Sequence, residues 1–125
     1  MPRHARFAPA LAAGIFATLV VSDTAASEQF TVVSSRDTFV SLVAGRELRR
    51  FGITLTVTPD GDIRGRAFGT QVTGEWAWDD GFFCRDLFWG DENLGFNCQL
   101  VQVNGATMRF TSDQGTGQFA DLTLR

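Results

Sequence analysis

The residues best suited to chemistry lie close together in residues 81–98, where Cys84, Arg85 and Cys98 are surrounded by aromatic side chains. The two cysteines are the only ones in the chain, and they could form a disulfide, a redox-active pair or part of a metal site. Their spacing lacks the Cys-x-x-Cys form of redox pairs, and Arg85 is the only nearby basic side chain that could lower a thiol pKa. The pattern therefore favours a structural disulfide between Cys84 and Cys98.

The residue types that are missing limit which reactions the chain can catalyse. Its only histidine is His4, and it has neither lysine nor tyrosine. Without residues 1–26, no imidazole base, amine nucleophile or phenolic acid remains to activate a serine or a cysteine. Two cysteines without histidine also fall short of the four ligands of a structural zinc site. The sequence thus predicts no catalytic residue, no metal site and no cofactor, and it favours a non-catalytic protein.

Acid-based hydrolysis is the enzymatic alternative that these absences leave open, because it needs only two carboxylates. The chain has three close acidic pairs: Asp79-Asp80, Asp91-Glu92, and Asp60 with Asp62. Each pair lies in a predicted turn, where aspartate is common because its side chain bonds the local backbone. Turn formation is the favoured interpretation of all three pairs.

Residues 1–26 have the features of a secretory signal peptide. A basic segment is followed by an apolar run from Phe7 to Val21 and by small residues at 24–26. The apolar run is shorter than the roughly 18 residues that a membrane span needs. We expect cleavage after Ala26 or Ser27 and a periplasmic or secreted protein, with residues 27–125 forming a single domain. Cleavage removes two arginines and one aspartate from 11 basic and 14 acidic residues, and the resulting acidic balance indicates no nucleic-acid binding.

The rest of the chain has the pattern of a mainly β protein with one short N-terminal helix. A serine cap, Asp37 in the first turn and a terminating Gly45 predict a helix over residues 35–44. After the helix, turn residues recur at the spacing typical of β-hairpins. They lie at Pro59–Gly61, Thr70-Gln71, Asp80-Gly81, Gly90–Gly95, Asn104-Gly105 and Asp113–Gly117. These turns predict an antiparallel meander of seven strands.

The predicted turns also fix which residues face each other on neighbouring strands. The predicted pairs include Val57 with Ile63, Gly65 with Trp76, Trp76 with Arg85, and Val101 with Met108. One apolar face then continues through all seven strands, which predicts a small barrel or a strongly curled sheet. The outward-facing threonine, arginine and glutamine side chains predict that the mature chain does not insert into a membrane.

Arg85 is the sharpest feature of the predicted inner face. No Asp or Glu falls nearby on that face, and an enclosed guanidinium without a carboxylate needs other hydrogen bonds, aromatic stacking, water or an anionic ligand. The sequence therefore predicts a pocket for a small anionic or aromatic ligand. The predicted ligand-binding residues are Arg85, Trp76, Trp78, Trp89, Asn97 and Gln99. The alternatives are a bulge at Phe82-Phe83 that turns Arg85 to solvent, or a purely structural stack of Arg85 on Trp76.

Large apolar side chains also fall on the predicted outer face, around the disulfide. They are Phe68, Phe82, Phe88, Phe96 and Leu100. This is more apolar surface than soluble monomers usually expose in one patch. We expect the helix to cover these residues with its own apolar face. The alternative is a protein partner, which would make the chain an interaction module such as an envelope accessory factor or an inhibitor.

Several short segments resemble a known family. They are Gly65-Arg-Ala-Phe-Gly69, Gly74-Glu-Trp-Ala-Trp78, Phe83-Cys-Arg-Asp-Leu87, Asn97-Cys-Gln99 and Arg109-Phe-Thr-Ser112. Over about residues 29–125 the chain resembles small exported proteins of marine and photosynthetic alphaproteobacteria, some of which are labelled dihydrodipicolinate reductase. That enzyme uses a dinucleotide-binding glycine motif and a substrate segment with histidine and lysine. This chain has no G-x-G-x-x-G after a strand and no histidine beyond His4, so the resemblance implies no catalytic positions.

Overall fold

The structure, a computed structural model, describes residues 29–125 together with Gly14, Ala17 and Thr18. Apart from those three positions, the predicted signal peptide at residues 1–26 lies outside the described residues. The two helices are α1 (Arg36–Val43) and α2 (Ser112–Gly115). The strands are β1 (Thr31–Val32), β2 (Leu48–Arg50), β3 (Ile53–Val57), β4 (Asp62–Ala67), β5 (Thr70–Asp79), β6 (Phe82–Trp89), β7 (Glu92–Asn104), β8 (Thr107–Thr111) and β9 (Phe119–Leu124). None of the helices in this part of the chain is long and apolar enough to cross a bilayer.

Strands β2 to β9 form a closed antiparallel barrel. Each strand pairs with the next along the chain, and β9 pairs back to β2. The short strand β1 lies outside this ring and pairs with β7. The predicted mainly β fold with a barrel and one N-terminal helix is confirmed, although the described residues form nine strands instead of seven. The difference arises because a turn at Phe51-Gly52 divides the first predicted strand into β2 and β3, and because β1 is too short to show alternation.

The turn positions decide the strand registers. Val57 pairs with Ile63 and Trp76 pairs with Arg85, as predicted. Two registers differ from prediction, since Gly65 pairs with Val72 instead of Trp76, and Val101 pairs with Phe110 instead of Met108. The first difference follows from a two-residue turn at Phe68-Gly69, where both residues have positive φ. Both shifts span an even number of residues, so every side chain stays on its predicted face.

Two glycines let neighbouring strands of the barrel approach closely. A Cβ atom added at Gly65 would overlap the carbonyl oxygen of Thr54 on β3, and one added at Gly74 would overlap the carbonyl oxygen of Asp86 on β6. Glycine inside a strand is typical of such close backbone approach and of the bends that a small barrel needs. Both positions therefore contribute to closing the ring.

Helix α1 closes one end of the barrel. Ser35 caps it by accepting a hydrogen bond from the backbone N–H of Thr38, close to the predicted start. Phe39 is fully buried, with its ring centroid 5.2 Å from those of Trp76 and Trp78 and 5.0 Å from that of Phe83. All three rings belong to the inner face of the sheet. The helix thus supplies the floor of the barrel interior.

The prediction that this helix covers the outer phenylalanines is wrong. Phe68 and Phe96 are each 64% exposed, and Phe88 is also exposed. The apolar face of α1 packs instead among the inner rings, because the end of the barrel offers a ready-made aromatic surface for Phe39. Phe88 and Phe96 consequently remain on the outer surface, whereas Phe68 lies at the turn between β4 and β5.

The predicted disulfide is present. Cys84 on β6 and Cys98 on β7 are direct register partners, with their Cα atoms 3.9 Å apart, and the described part of the chain has no free cysteine. Side chains alternate along a strand, so the bond lies on the opposite face from Phe83 and Arg85. The disulfide therefore fixes β6 to β7 from the outside, at the same level as Arg85 on the inside.

Candidate ligand-binding site

One row of side chains on β6 spans the depth of the barrel interior. Alternation sends Phe83, Arg85, Leu87 and Trp89 inward. Phe83 packs against Phe39 of the helix, so it marks the closed end. Trp89 precedes the β6–β7 turn at the opposite end. Arg85 therefore lies at mid-depth, one step above the aromatic floor.

A cavity of about 220 Å³ surrounds this position. Thirteen residues line it, and ten of them are apolar. The three polar lining residues are Arg50, Arg85 and Gln99. None of the lining residues is an aspartate or a glutamate. Among the described residues, the charged side chains that line this largely apolar cavity are therefore both arginines.

Arg85 forms no ion pair with a carboxylate in the part of the chain that the structure describes. Its Nη1 group donates a 2.8 Å hydrogen bond to the carbonyl oxygen of Gly95. Its Nε–H is buried, and no acceptor among the described residues lies within hydrogen-bonding distance. A register shift after Leu87, where β6 meets the start of β7, accompanies the positive φ of Gly95. Among the described residues, the guanidinium thus has one backbone acceptor at Nη1 and a buried Nε–H without an acceptor.

Burial sets the electrostatics of Arg85. Desolvation lowers the pKa of its guanidinium, and the charge of Asp86 on the outer face partly offsets this by raising it. An arginine remains charged at neutral pH even so. The cavity consequently contains a half-buried cation whose Nε–H has no acceptor among the described residues.

Arg50 is the cavity residue that the sequence analysis missed. It lies at the end of β2 and pairs with Ile53 across the Phe51-Gly52 turn. Ile53 faces inward, so Arg50 shares the inner face with it and lines the cavity. In the sequence, the glycine at position 52 was the sign of a turn, although residues 48–57 otherwise resemble one continuous strand. In the structure Gly52 has a φ of +77°, which confirms the turn. Recognition of that turn would have placed a second arginine at the open end of this cavity, where Arg50 is exposed to solvent.

The predicted polar residues on β7 take different roles. Gln99 lines the cavity, and its amide nitrogen lies 3.4 Å from the hydroxyl of Ser112. Asn97 lines neither this cavity nor the one described below, because its side chain makes two hydrogen bonds with Asp113, at 2.8 and 2.9 Å. Asn97 therefore anchors the tight turn α2 to the edge of β7.

The three predicted tryptophans are separated along the barrel. Trp76 is buried against the helix, and its Nε1–H donates to the carbonyl oxygen of Thr58. Trp78 packs on Phe39, and its buried Nε1–H has no acceptor among the described residues. Trp89 lies at the opposite end and donates to the carbonyl oxygen of Ala67. Only Trp89 lines a cavity discussed here, and it belongs to the second one.

A second cavity of about 280 Å³ continues from the first toward the open end of the barrel. Ile53, Leu55 and Leu87 line both cavities. All eight residues that line the second cavity are apolar. They include Phe68 and Leu94, which are also exposed to solvent, so the second cavity opens at the barrel rim.

The acidic pairs lie away from both cavities. Their members Asp60, Asp62, Asp79, Asp80, Asp91 and Glu92 are all exposed and line neither cavity. No group of three or more His, Cys, Asp or Glu side chains in the described part of the chain could hold a metal ion. The described residues that line the first cavity therefore combine two arginines and a glutamine with apolar side chains.

Comparison of the chain with protein-family models, curated proteins and solved structures found no match.

Proposed function

We propose that this chain is an exported, non-catalytic protein that binds a small organic anion inside its barrel, with Arg85 as the main recognition group. The observation that carries the proposal is the half-buried guanidinium of Arg85 in a chamber lined by ten apolar residues and no carboxylate. Burying a cation without a partner costs free energy. An anionic ligand would offset that cost.

The chemistry of the cavity favours a carboxylate or a phosphate attached to an apolar body. Guanidinium groups bind such anions through two parallel charge-assisted hydrogen bonds. Arg50 adds a second positive charge, and Gln99 adds an amide donor. The apolar walls would take up the rest of the ligand, and the interior of an eight-stranded barrel is wide enough for one small ligand.

The disulfide supports export as part of the proposal. Disulfide bonds persist mainly in oxidising compartments such as the periplasm and the extracellular space. The bond between Cys84 and Cys98 and the signal-like residues 1–26 both favour a periplasmic or secreted location. Membership of the exported alphaproteobacterial family, proposed from short segments, points the same way.

Replacing Arg85 with methionine is expected to weaken anion binding by about 10- to 150-fold, since hydrogen bonds to charged groups contribute about 1.5–3 kcal/mol. The measurement is a titration of tryptophan fluorescence with benzoate, octanoate and inorganic phosphate, since Trp89 lines the adjoining cavity. Methionine fills similar space and removes a half-buried cation that has no carboxylate partner among the described residues, so the variant should fold with unchanged or higher stability. Arg85→Lys keeps the charge without the planar fork and should give intermediate affinity.

Arg64→Met provides the matched control. Arg64 lies on β4 and is exposed on the outer face, where its Nη2 atom lies 3.7 Å from Oδ2 of Asp62. Its replacement removes the same charge from the protein without touching the interior, so the affinity for each anion should stay at the wild-type value. Equal affinities of wild-type protein and Arg85→Met would refute the proposed role of Arg85.

A protein-interaction module is the second candidate function, and it is favoured by the exposure of Phe88 and Phe96 beside the disulfide. An apolar patch of this kind is typical of surfaces that dock a partner. Under this alternative, Phe96→Ser would reduce partner binding while Arg85→Met would leave it unchanged. The two candidates therefore make opposite predictions for these two variants.

A further inference from the structure

We infer that the ligand is a single-chain amphiphile whose anionic head lies at Arg85 and whose unbranched apolar tail runs through the second cavity to the barrel rim. The inference rests on the proposed function and adds the class of ligand. It follows from three observations: the two cavities share lining residues, only the first has polar lining residues, and the second is lined by side chains that are exposed at the rim.

The shared walls make the two cavities consecutive parts of one interior. Ile53, Leu55 and Leu87 line both. On β6, Arg85 belongs to the first cavity, Leu87 to both, and Trp89 to the second. This order runs from the helix floor toward the open end. A ligand that is longer than the first cavity can therefore extend past Leu87 toward Trp89.

The chemistry of the two parts differs in the way that an amphiphile requires. The first cavity contains both arginines and the glutamine, whereas every residue that lines the second is apolar. A ligand with polar groups at both ends would leave one of them without hydrogen bonds in the second cavity, at a cost in free energy. An anionic head with a plain hydrocarbon tail matches both parts.

The rim fixes the direction of the tail. Phe68 and Leu94 line the second cavity but are 64% and 50% exposed. The ring of Phe68 lies over Gly52, because a Cβ atom added there would contact it, and the neighbouring Phe51 is almost fully exposed. These side chains form an apolar collar at the open end. A tail that reaches the collar covers apolar surface that water otherwise contacts.

The test is the affinity of straight-chain carboxylates from butanoate to dodecanoate, measured by isothermal titration calorimetry on the wild-type protein. Burial of each added methylene should strengthen binding by about fourfold. The affinity should stop rising with chain length once the tail extends beyond the collar, because further methylenes would remain in water. Branched acids with the same number of carbons should bind more weakly than the straight-chain acids. Ile53, Leu55 and Leu87 line the passage between the two cavities, and a branched tail would contact them more closely.

Ala67→Met tests the second cavity separately. Ala67 lines this cavity and not the first, so the longer side chain should remove most of the gain with chain length and leave the affinity for butanoate unchanged. Ala77→Met is the matched control, since Ala77 is exposed on the outer face of β5. The control should keep the full dependence on chain length.

The outcomes separate this inference from the proposed function. If short carboxylates bind through Arg85 but affinity in the wild-type protein does not rise with chain length, the tail inference is overturned and the proposed anion site stands. If no carboxylate of any length binds, both are overturned. The chain-length series needs no variant, so poor folding of Ala67→Met would not prevent a decision.

Discussion

Replacing Phe39 with alanine is expected to lower the free energy of unfolding by about 3–5 kcal/mol, the cost of removing a fully enclosed phenylalanine from a packed core. The ring has no exposed surface and contacts aromatic rings on β5, β6 and β8. Urea unfolding followed by tryptophan fluorescence measures the change.

Phe51→Ala is the control for this experiment. Phe51 is 93% exposed at the β2–β3 turn, so its truncation should change the free energy of unfolding by less than about 0.5 kcal/mol. The two variants remove the same atoms from opposite ends of the barrel. If both variants unfolded at the same urea concentration, α1 would not be the floor of the interior.

Opening the disulfide is expected to cost about 3 kcal/mol, the chain-entropy value for a loop of this length. Cys84 and Cys98 lie 14 positions apart in the sequence and join β6 to β7 at the level of Arg85. The double variant Cys84→Ala with Cys98→Ala should show the loss, and wild-type protein treated with dithiothreitol should show a similar one. Thermal or urea unfolding under both conditions measures it.

The same experiment contains its own control. Dithiothreitol should leave the stability of the double variant unchanged, because that variant has no bond to reduce. A wild-type protein whose stability did not respond to reduction would show that the bond contributes little to this fold. Anion affinity should also fall in the double variant, since β6 and β7 carry Arg85 and Gln99 on their inner face.

The orientation of Arg85 could be predicted from the sequence because strong turns fix the neighbouring hairpins. Asp80-Gly81 sets the β5–β6 register, and both residues take the positive φ that this tight turn requires. Where a turn was misplaced, as at Phe68-Gly69, the error was an even number of residues and left the faces unchanged. Local turn chemistry was therefore enough to place the cation inside.

The location of the helix and the extent of the cavity could not be predicted in the same way. The helix pattern identifies an apolar face, but two apolar surfaces were available to it: the outer phenylalanines and the inner rings. Only the closed barrel brings together the aromatic rings of β5, β6 and β8 that surround Phe39. The inward orientation of Arg50 was not predicted because the turn between β2 and β3 contains Phe51. A phenylalanine is typical of strands, so the segment resembles one continuous strand.

The second cavity likewise depends on closure. Ala67, Trp89 and Leu94 come from three different strands and meet only when the barrel forms. Their spacing in the sequence gives no indication of a shared space. The amphiphilic character of the interior is therefore a property of the fold.

Native mass spectrometry of the wild-type protein and of Arg85→Met, each purified without denaturation from an exporting host, tests whether Arg85 holds an organic anion inside the barrel. We expect the wild-type protein to carry one additional mass that dissociates as an organic acid, and Arg85→Met to carry none. Equal occupancy in the two proteins would contradict it. A wild-type protein that carries no acid and also fails to take up octanoate would contradict it equally.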